Sequence, residues 1–170
     1  WVMKESTTQF KKWYDEGLNP GTLSLNLSVL RLEEENFIQH VKQSIEDSNI
    51  DAKWLSFEVI ESRIMKNPDK SIEKLRELKQ LGIKIAIDDV GTGYSSLSYL
   101  KKLPIDKLKI DRSFVMDIPY DLDDTEITKA IISMAKSLNL KTIAEGVETE
   151  EQRDIIVDNG CHEIQGYLYY

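Results

Sequence analysis

The chain has 170 residues, with 22 lysines and arginines against 30 aspartates and glutamates, a net charge of −8. That balance, with no basic run and no basic–aromatic interleaving, excludes a general nucleic-acid surface. The single cysteine, Cys161, excludes an internal disulfide and fits a reducing, cytoplasmic compartment. His40 and His162 stand far apart without zinc-ligand spacing, so any metal here would be held by oxygen, as Mg²⁺ or Mn²⁺.

Hydrophobic residues make up 41% and charged residues 31%, the profile of an ordinary globular chain expected to form one domain. No apolar run approaches the roughly 18 residues needed to span a bilayer, and no signal peptide is recognisable. Because the first residues already read as helix, an upstream targeting or membrane segment is compatible with the sequence.

In chain order, Val2 to about Glu16 predicts a helix burying Phe10, Trp13 and Tyr14, closed by Gly17. Thr22 to Ser28 reads as a strand. Residues 34–47 carry the helical stripe Phe37, Ile38, Val41 and Ile45, and Trp54 to Ile60 is the next strand. Asn67-Pro68 supplies an N-cap and first-turn proline to a helix with Ile72, Leu75 and Leu78 inside, stopped by Gly82. An alternating strand ends at Asp88-Asp89. A short helix near Ser95 to Lys101 leads to a strand at Asp106 to Asp111.

Ile127, Ala130, Ile131, Met134 and Leu138 mark a helix over 123–138. Lys141 to Glu145 is a strand, and Thr149 with Gln152 forms a capping box for a helix ending near Gly160. Cys161 to Gln165 is the last strand. Alternation of this kind predicts a parallel sheet with helices outside it.

The strands share a second pattern. Leucines and isoleucines line one face, while Ser24, Asn26, Glu58, Asp88 and Lys109 occupy the other. An open doubly wound sheet would be apolar on both faces. A barrel accounts for the difference, with aliphatic residues meeting the outer helices and a polar interior holding a site. Asn26, Glu58, Asp88, Asp89, Lys109, Asp111 and Glu145 also fall late in their strands, where barrel enzymes place their chemistry. Each has an ordinary alternative: Asn26 capping a loop, Glu58 pairing with Lys84, Lys109 pairing with Asp111. Adjacent side chains on a strand diverge, so Asp88 and Asp89 cannot both join the apolar face. Two carboxylates beside the glycine-bracketed Gly91-Thr92-Gly93 suit a divalent cation or a phosphate–metal assembly.

Together these motifs resemble the EAL-type cyclic di-GMP phosphodiesterases. The resemblance rests on Asn26-Leu27-Ser28, Phe57-Glu58-Val59-Ile60-Glu61-Ser62, Asp88-Asp89-Val90-Gly91-Thr92-Gly93-Tyr94-Ser95-Ser96-Leu97, Lys109-Ile110-Asp111-Arg112-Ser113-Phe114-Val115, Ala144-Glu145-Gly146-Val147-Glu148 and Gln165-Gly166-Tyr167-Leu168. It implies a variant TIM barrel that hydrolyses one phosphodiester bond of cyclic di-GMP to linear pGpG, using Mg²⁺ or Mn²⁺. Asn26, Glu58 and Asp88 match ligands of a first metal. Asp88 would bridge to a second, with Asp89 and Glu145 completing that neighbourhood. Lys109 matches a lysine near the attacking water, which Glu145 also helps prepare. Glu61 matches a glutamate steadying the loop after the aspartate pair, and Asp111, Glu148 and Gln165 match further pocket positions.

The resemblance also implies a homodimer and flanking sensory or GGDEF-type domains in a parent protein, which is cytoplasmic or membrane-anchored. The Glu-Ala-Leu segment and the closing C-terminal helix of the family do not occur in the chain, and six strands are legible where the barrel has eight. A single EAL-type domain truncated at both ends is therefore expected over 1–170, weakly active or inactive by itself. Val90 and Arg31 depart from the family pattern without removing a ligand. The competing readings are a non-catalytic cyclic di-GMP receptor and a regulatory interaction module.

Overall fold

The computed structural model describes residues 1–64, 67–91 and 97–169. Six strands follow one another in sequence order across one sheet, β1 (Leu23–Asn26), β2 (Leu55–Ile60), β3 (Lys84–Val90), β4 (Lys107–Ile110), β5 (Lys141–Glu145) and β6 (Glu163–Gln165). Every described pairing is parallel. Parallel neighbours need a crossover, which a helix usually supplies. The result is α/β and TIM-barrel-like, a (β/α) pattern with six strands among the described residues. The chain divides into two compact units, residues 1–85 with 102–104, and residues 86–101 with 105–170.

In the first unit, α1 (Val2–Asp15) packs on α3 (Phe37–Ser48), and a short α2 (Val29–Leu32) follows β1, capped by the Ser28 hydroxyl accepting from the Arg31 amide. The sequence pattern had shown no sign of α2. Leu32, Val41, Leu55, Val59, Leu75 and Leu78 are fully buried. Phe10 is buried as expected, whereas Trp13 and Tyr14 are over two-fifths exposed. The Tyr14 ring instead lies 4.0 Å from that of Trp54, an aromatic contact made at the surface. A four-residue helix, α4 (Glu61–Ile64), leaves β2 directly, and α5 (Pro68–Gln80) buries Ile72, Leu75 and Leu78. Pro68 opens α5 as predicted, but the Asn67 side chain donates to Glu33 instead of capping the helix.

The second unit holds most of β3, α6 (Leu97–Leu100), β4, α7 (Leu122–Ser137), β5, α8 (Glu150–Asp158) and β6. The α7 stripe is shifted from the expected one. Thr125, Thr128, Ile131, Ile132 and Ala135 face inward, while Ile127 is 39% exposed. Threonine tolerates this because the Thr128 hydroxyl donates to the Phe114 carbonyl and that of Thr125 to Asp121. The predicted capping box on α8 is present in both directions, Thr149 to Gln152 and back.

The aliphatic face is as predicted in β2, β3 and β4: Leu55, Phe57, Val59, Ile85, Ile87, Leu108 and Ile110 are all buried. In β5 the buried set is Thr142 and Ala144, and Ile143 lies on the same side as Glu145. The opposite face is therefore partly apolar near its base and polar at the strand ends.

Candidate active site

The second unit gathers five of the predicted residues at three neighbouring strand ends. β3 reaches its end irregularly, with a register shift against β4 between Ile87 and Val90. Asp89 sits at φ 58°, a left-handed conformation that aspartate adopts more readily than most residues. The irregularity relieves strict alternation, so both carboxyl groups are only half-buried at the strand's end. The Asp88 Oδ1 also accepts the Asp89 amide at 3.1 Å.

Lys109 is 4% exposed. Its Nζ lies 3.1 Å from Asp88 Oδ1 and 2.6 Å from Glu145 Oε1. An ammonium withdrawn from water costs several kcal/mol unless it is paired and hydrogen-bonded, and here two carboxylates supply that compensation. One cation thus joins the ends of β3, β4 and β5.

Asp89 and Asp111 form the other half of the cluster. Burial pushes the Asp89 carboxyl above its ordinary range, reinforced by the charges of Asp88 and Asp111. Burial also opposes ionisation of Asp111. It is outweighed by hydrogen bonds from the Ser113 side chain and amide, from Asp89 and from the Arg112 amide, which hold Asp111 below the usual range. The two shifts run in opposite directions for one reason: within this hydrogen-bonded pair Asp89 is the more readily protonated partner and Asp111 the more readily ionised.

Around this cluster lies a belt of backbone and side-chain contacts. Gln165 is the register partner of Glu145, and its carbonyl accepts the Val147 amide. A Cβ on Gly166 would fall 2.1 Å from the Val147 carbonyl oxygen, so only glycine allows that approach. Glu148 accepts from Arg112 Nη2 at 2.8 Å.

In the first unit, Asn26 and Glu58 are register partners at the ends of β1 and β2. Asn26 lines a cavity of about 830 Å³ together with Ser24, Ser28, Arg31, His40 and Phe57. Glu61, directly after β2, is 2% exposed. The hydroxyl-rich segment Thr92 to Ser96 lies outside the described residues. Arg112 and Gly146 were given no role in the sequence reading. The signal available was spacing: Lys109 and Arg112 are three apart, as are their partners Glu145 and Glu148.

The donor chemistry of the strand ends fits a hard divalent cation, being carboxylate and amide oxygen with no cysteine or histidine. Asp88 and Glu145 already converge on one positive charge, that of Lys109. Among the described residues, no group of three or more His, Cys, Asp or Glu side chains stands together in a geometry that could hold a metal ion.

Comparison with known proteins places the architecture in a family. The EAL domain model matches residues 1–170, and the chain belongs to the EAL domain family. It is 41% identical over 169 residues to the cyclic di-GMP phosphodiesterase NbdA of Pseudomonas aeruginosa. It is 40% identical over 168 residues to the bifunctional diguanylate cyclase/cyclic di-GMP phosphodiesterase MucR of the same organism. Each match takes in 99% of this chain but only 22% and 24% of those proteins, so the chain spans about a quarter of their length. The solved structure of the MucR phosphodiesterase in complex with cyclic di-GMP aligns at a TM-score of 0.94, covering 99% of this chain and 68% of that one. A manganese and cyclic di-GMP complex of Klebsiella pneumoniae BlrP1 aligns at 0.84 with 28% identity, covering 98% and 43%. Among the described residues, no helix is long and apolar enough to cross a membrane.

Proposed function

We propose that the chain carries the hydrolytic centre of a cyclic di-GMP phosphodiesterase, cleaving one phosphodiester bond to give linear pGpG in bacterial second-messenger signalling. The observation carrying this reading is the buried Lys109 held between Asp88 and Glu145 at three strand ends. A paired ammonium with two carboxylates at the C-terminal ends of parallel strands lies where barrel enzymes place their chemistry, and it is suited to act on a phosphodiester. The relatives named as phosphodiesterases and the manganese complex of BlrP1 support it.

In this reading Asn26, Glu58, Asp88, Asp89 and Glu145 would hold Mg²⁺ or Mn²⁺. Such ions lower the pKa of bound water and offset the negative charge of the phosphates. Lys109 Nζ donates to the attacking water or to a phosphoryl oxygen. Glu145 accepts the proton as the water oxygen bonds to phosphorus, and the P–O3′ bond breaks with the leaving oxygen taking a proton from solvent. Glu61 supports the segment after Asp89, and Asp111, Glu148 and Gln165 line the substrate side. The parent acts as a homodimer with sensory or GGDEF-type domains beside this one, cytoplasmic or tethered to a membrane. The chain alone is weakly active or inactive.

Incubation of the chain with cyclic di-GMP, with Mn²⁺ or with EDTA, tests this. Saturable, Mn²⁺-dependent binding with slow formation of pGpG is expected, both lost in Asp88→Asn. Saturable binding without pGpG at long incubation identifies a receptor, and neither binding nor product rejects both.

A further inference from the structure

Just outside the Lys109–Glu145 pair, the chain closes a ring of hydrogen bonds in which each residue is tied to the next. The Arg112 carbonyl accepts the Met116 amide at 3.0 Å. The Met116 carbonyl accepts from Gln152 Nε2 at 3.0 Å, and Gln152 is 3% exposed. Gln152 Oε1 in turn accepts the Glu148 amide at 2.7 Å, and Glu148 Oε1 accepts from Arg112 Nη2 at 2.8 Å, closing the circuit.

Gly146 lies inside that ring, immediately after Glu145. It turns the chain at φ +73°, and a Cβ placed on it would stand 2.3 Å from Arg112 Cγ and 2.9 Å from Arg112 Cδ. The methylenes of Arg112 therefore lie flat over the bare Cα, and the guanidinium reaches past it to Glu148. Arginine suits this place because its stem packs while its planar head binds a carboxylate.

We propose that Arg112 is a positioning residue for Glu145: stacked over Gly146 and anchored through Glu148, it fixes how Glu145 leaves β5 and so holds its carboxylate on Lys109. Arg112 and Glu148 are half-exposed, and such ion pairs add little to global stability. The ring sets direction. Two cross-links with equal spacing, Lys109–Glu145 and Arg112–Glu148, define the angle between the ends of β4 and β5. The ladder between β4 and β5 ends at Ile110 and Ala144, and the two links continue the alignment past it. The catalytic consequence rests on the phosphodiesterase reading, whereas the positioning itself does not.

The test uses Arg112→Ala, Arg112→Lys, Gly146→Ala and the Arg112→Ala/Gly146→Ala pair. In ¹³C-labelled chain, the Glu145 carboxyl resonance is expected to move in Arg112→Ala and return toward its position in Arg112→Lys, whose stem and charge span the same gap. The unfolding midpoint should barely change in either. Gly146→Ala should destabilise the parent chain more than it destabilises Arg112→Ala, where the close contact is gone. With cyclic di-GMP and Mn²⁺, Arg112→Ala should lower kcat about tenfold at unchanged KM, with lysine restoring most of it. An unmoved Glu145 resonance, or strictly additive substitutions, overturns the proposal. If the parent chain forms no pGpG, the functional reading fails, and the resonance and the unfolding cycle still decide the positioning.

Discussion

The ends of β1 and β4 both carry polar side chains, Asn26 and Lys109, yet the two are built in opposite ways. In the first unit β1 is only half-buried along its length, and Asn26 is exposed to the cavity it lines. In the second unit Leu108, Lys109 and Ile110 are all buried, and the one charge among them is neutralised by residues from the two flanking strands. A polar group left in contact with water costs the fold almost nothing, so it is free to serve a ligand. One buried among aliphatic residues must be satisfied internally, which couples the site to stability.

The largest break in that contrast is expected from Lys109→Met. It leaves Asp88 and Glu145 facing each other without their cation, and should cost about 3 kcal/mol of unfolding free energy measured in urea. Next comes Gln152→Ala in the same unit, which strands the Glu148 and Thr149 amides and the Met116 carbonyl. A loss of about 1–3 kcal/mol is expected by the same measurement. Asn26→Ala should shift stability by no more than about 0.5 kcal/mol while reducing pGpG formation. Equal destabilisation by Asn26→Ala and Lys109→Met would abolish the distinction between the units.

The smallest effect sharpens the electrostatic side. Burial and neighbouring charge raise the Asp89 pKa, so the stability linked to its proton is present in acid and is lost as pH rises through that raised value. Asp111 is lowered, and its contribution runs the other way, being lost as pH falls. Asp89→Asn, neutral at every pH, should therefore stabilise the metal-free chain at neutral pH. The gain should shrink as the pH is lowered through that raised value and the wild-type carboxyl takes up its proton. Thermal unfolding at neutral and at acidic pH measures it. On the proposed metal-dependent reading, Mn²⁺ should reverse the order of the two chains, because an ionised Asp89 would then have a cation to meet.

Much of this was legible where local chemistry and tertiary packing agree. The alternation Ile83, Ile85, Ile87 against Lys84, Ala86, Asp88 marks β3 and its buried face, and Thr149 with Gln152 marks the start of α8. Legibility failed where a side chain's role depends on a distant partner. Trp13 and Tyr14 read as core by spacing, but Tyr14 finds Trp54 at the surface. Thr125 and Thr128 read as polar, yet they are buried once backbone carbonyls accept their hydroxyls. Arg112 offered only its three-residue spacing from Lys109 until packing brought Gly146 beneath it.

The sequence by itself determined the strand–helix alternation and the placement of acids at strand ends. Those follow from periodicity and residue type, which act over a few neighbouring positions. Tertiary structure alone decided that Lys109 bridges Asp88 and Glu145, that Asp89 meets Asp111, and that the Arg112 stem covers Gly146. Each of these requires groups far apart in the chain to be brought within a few ångströms, a distance that only packing sets.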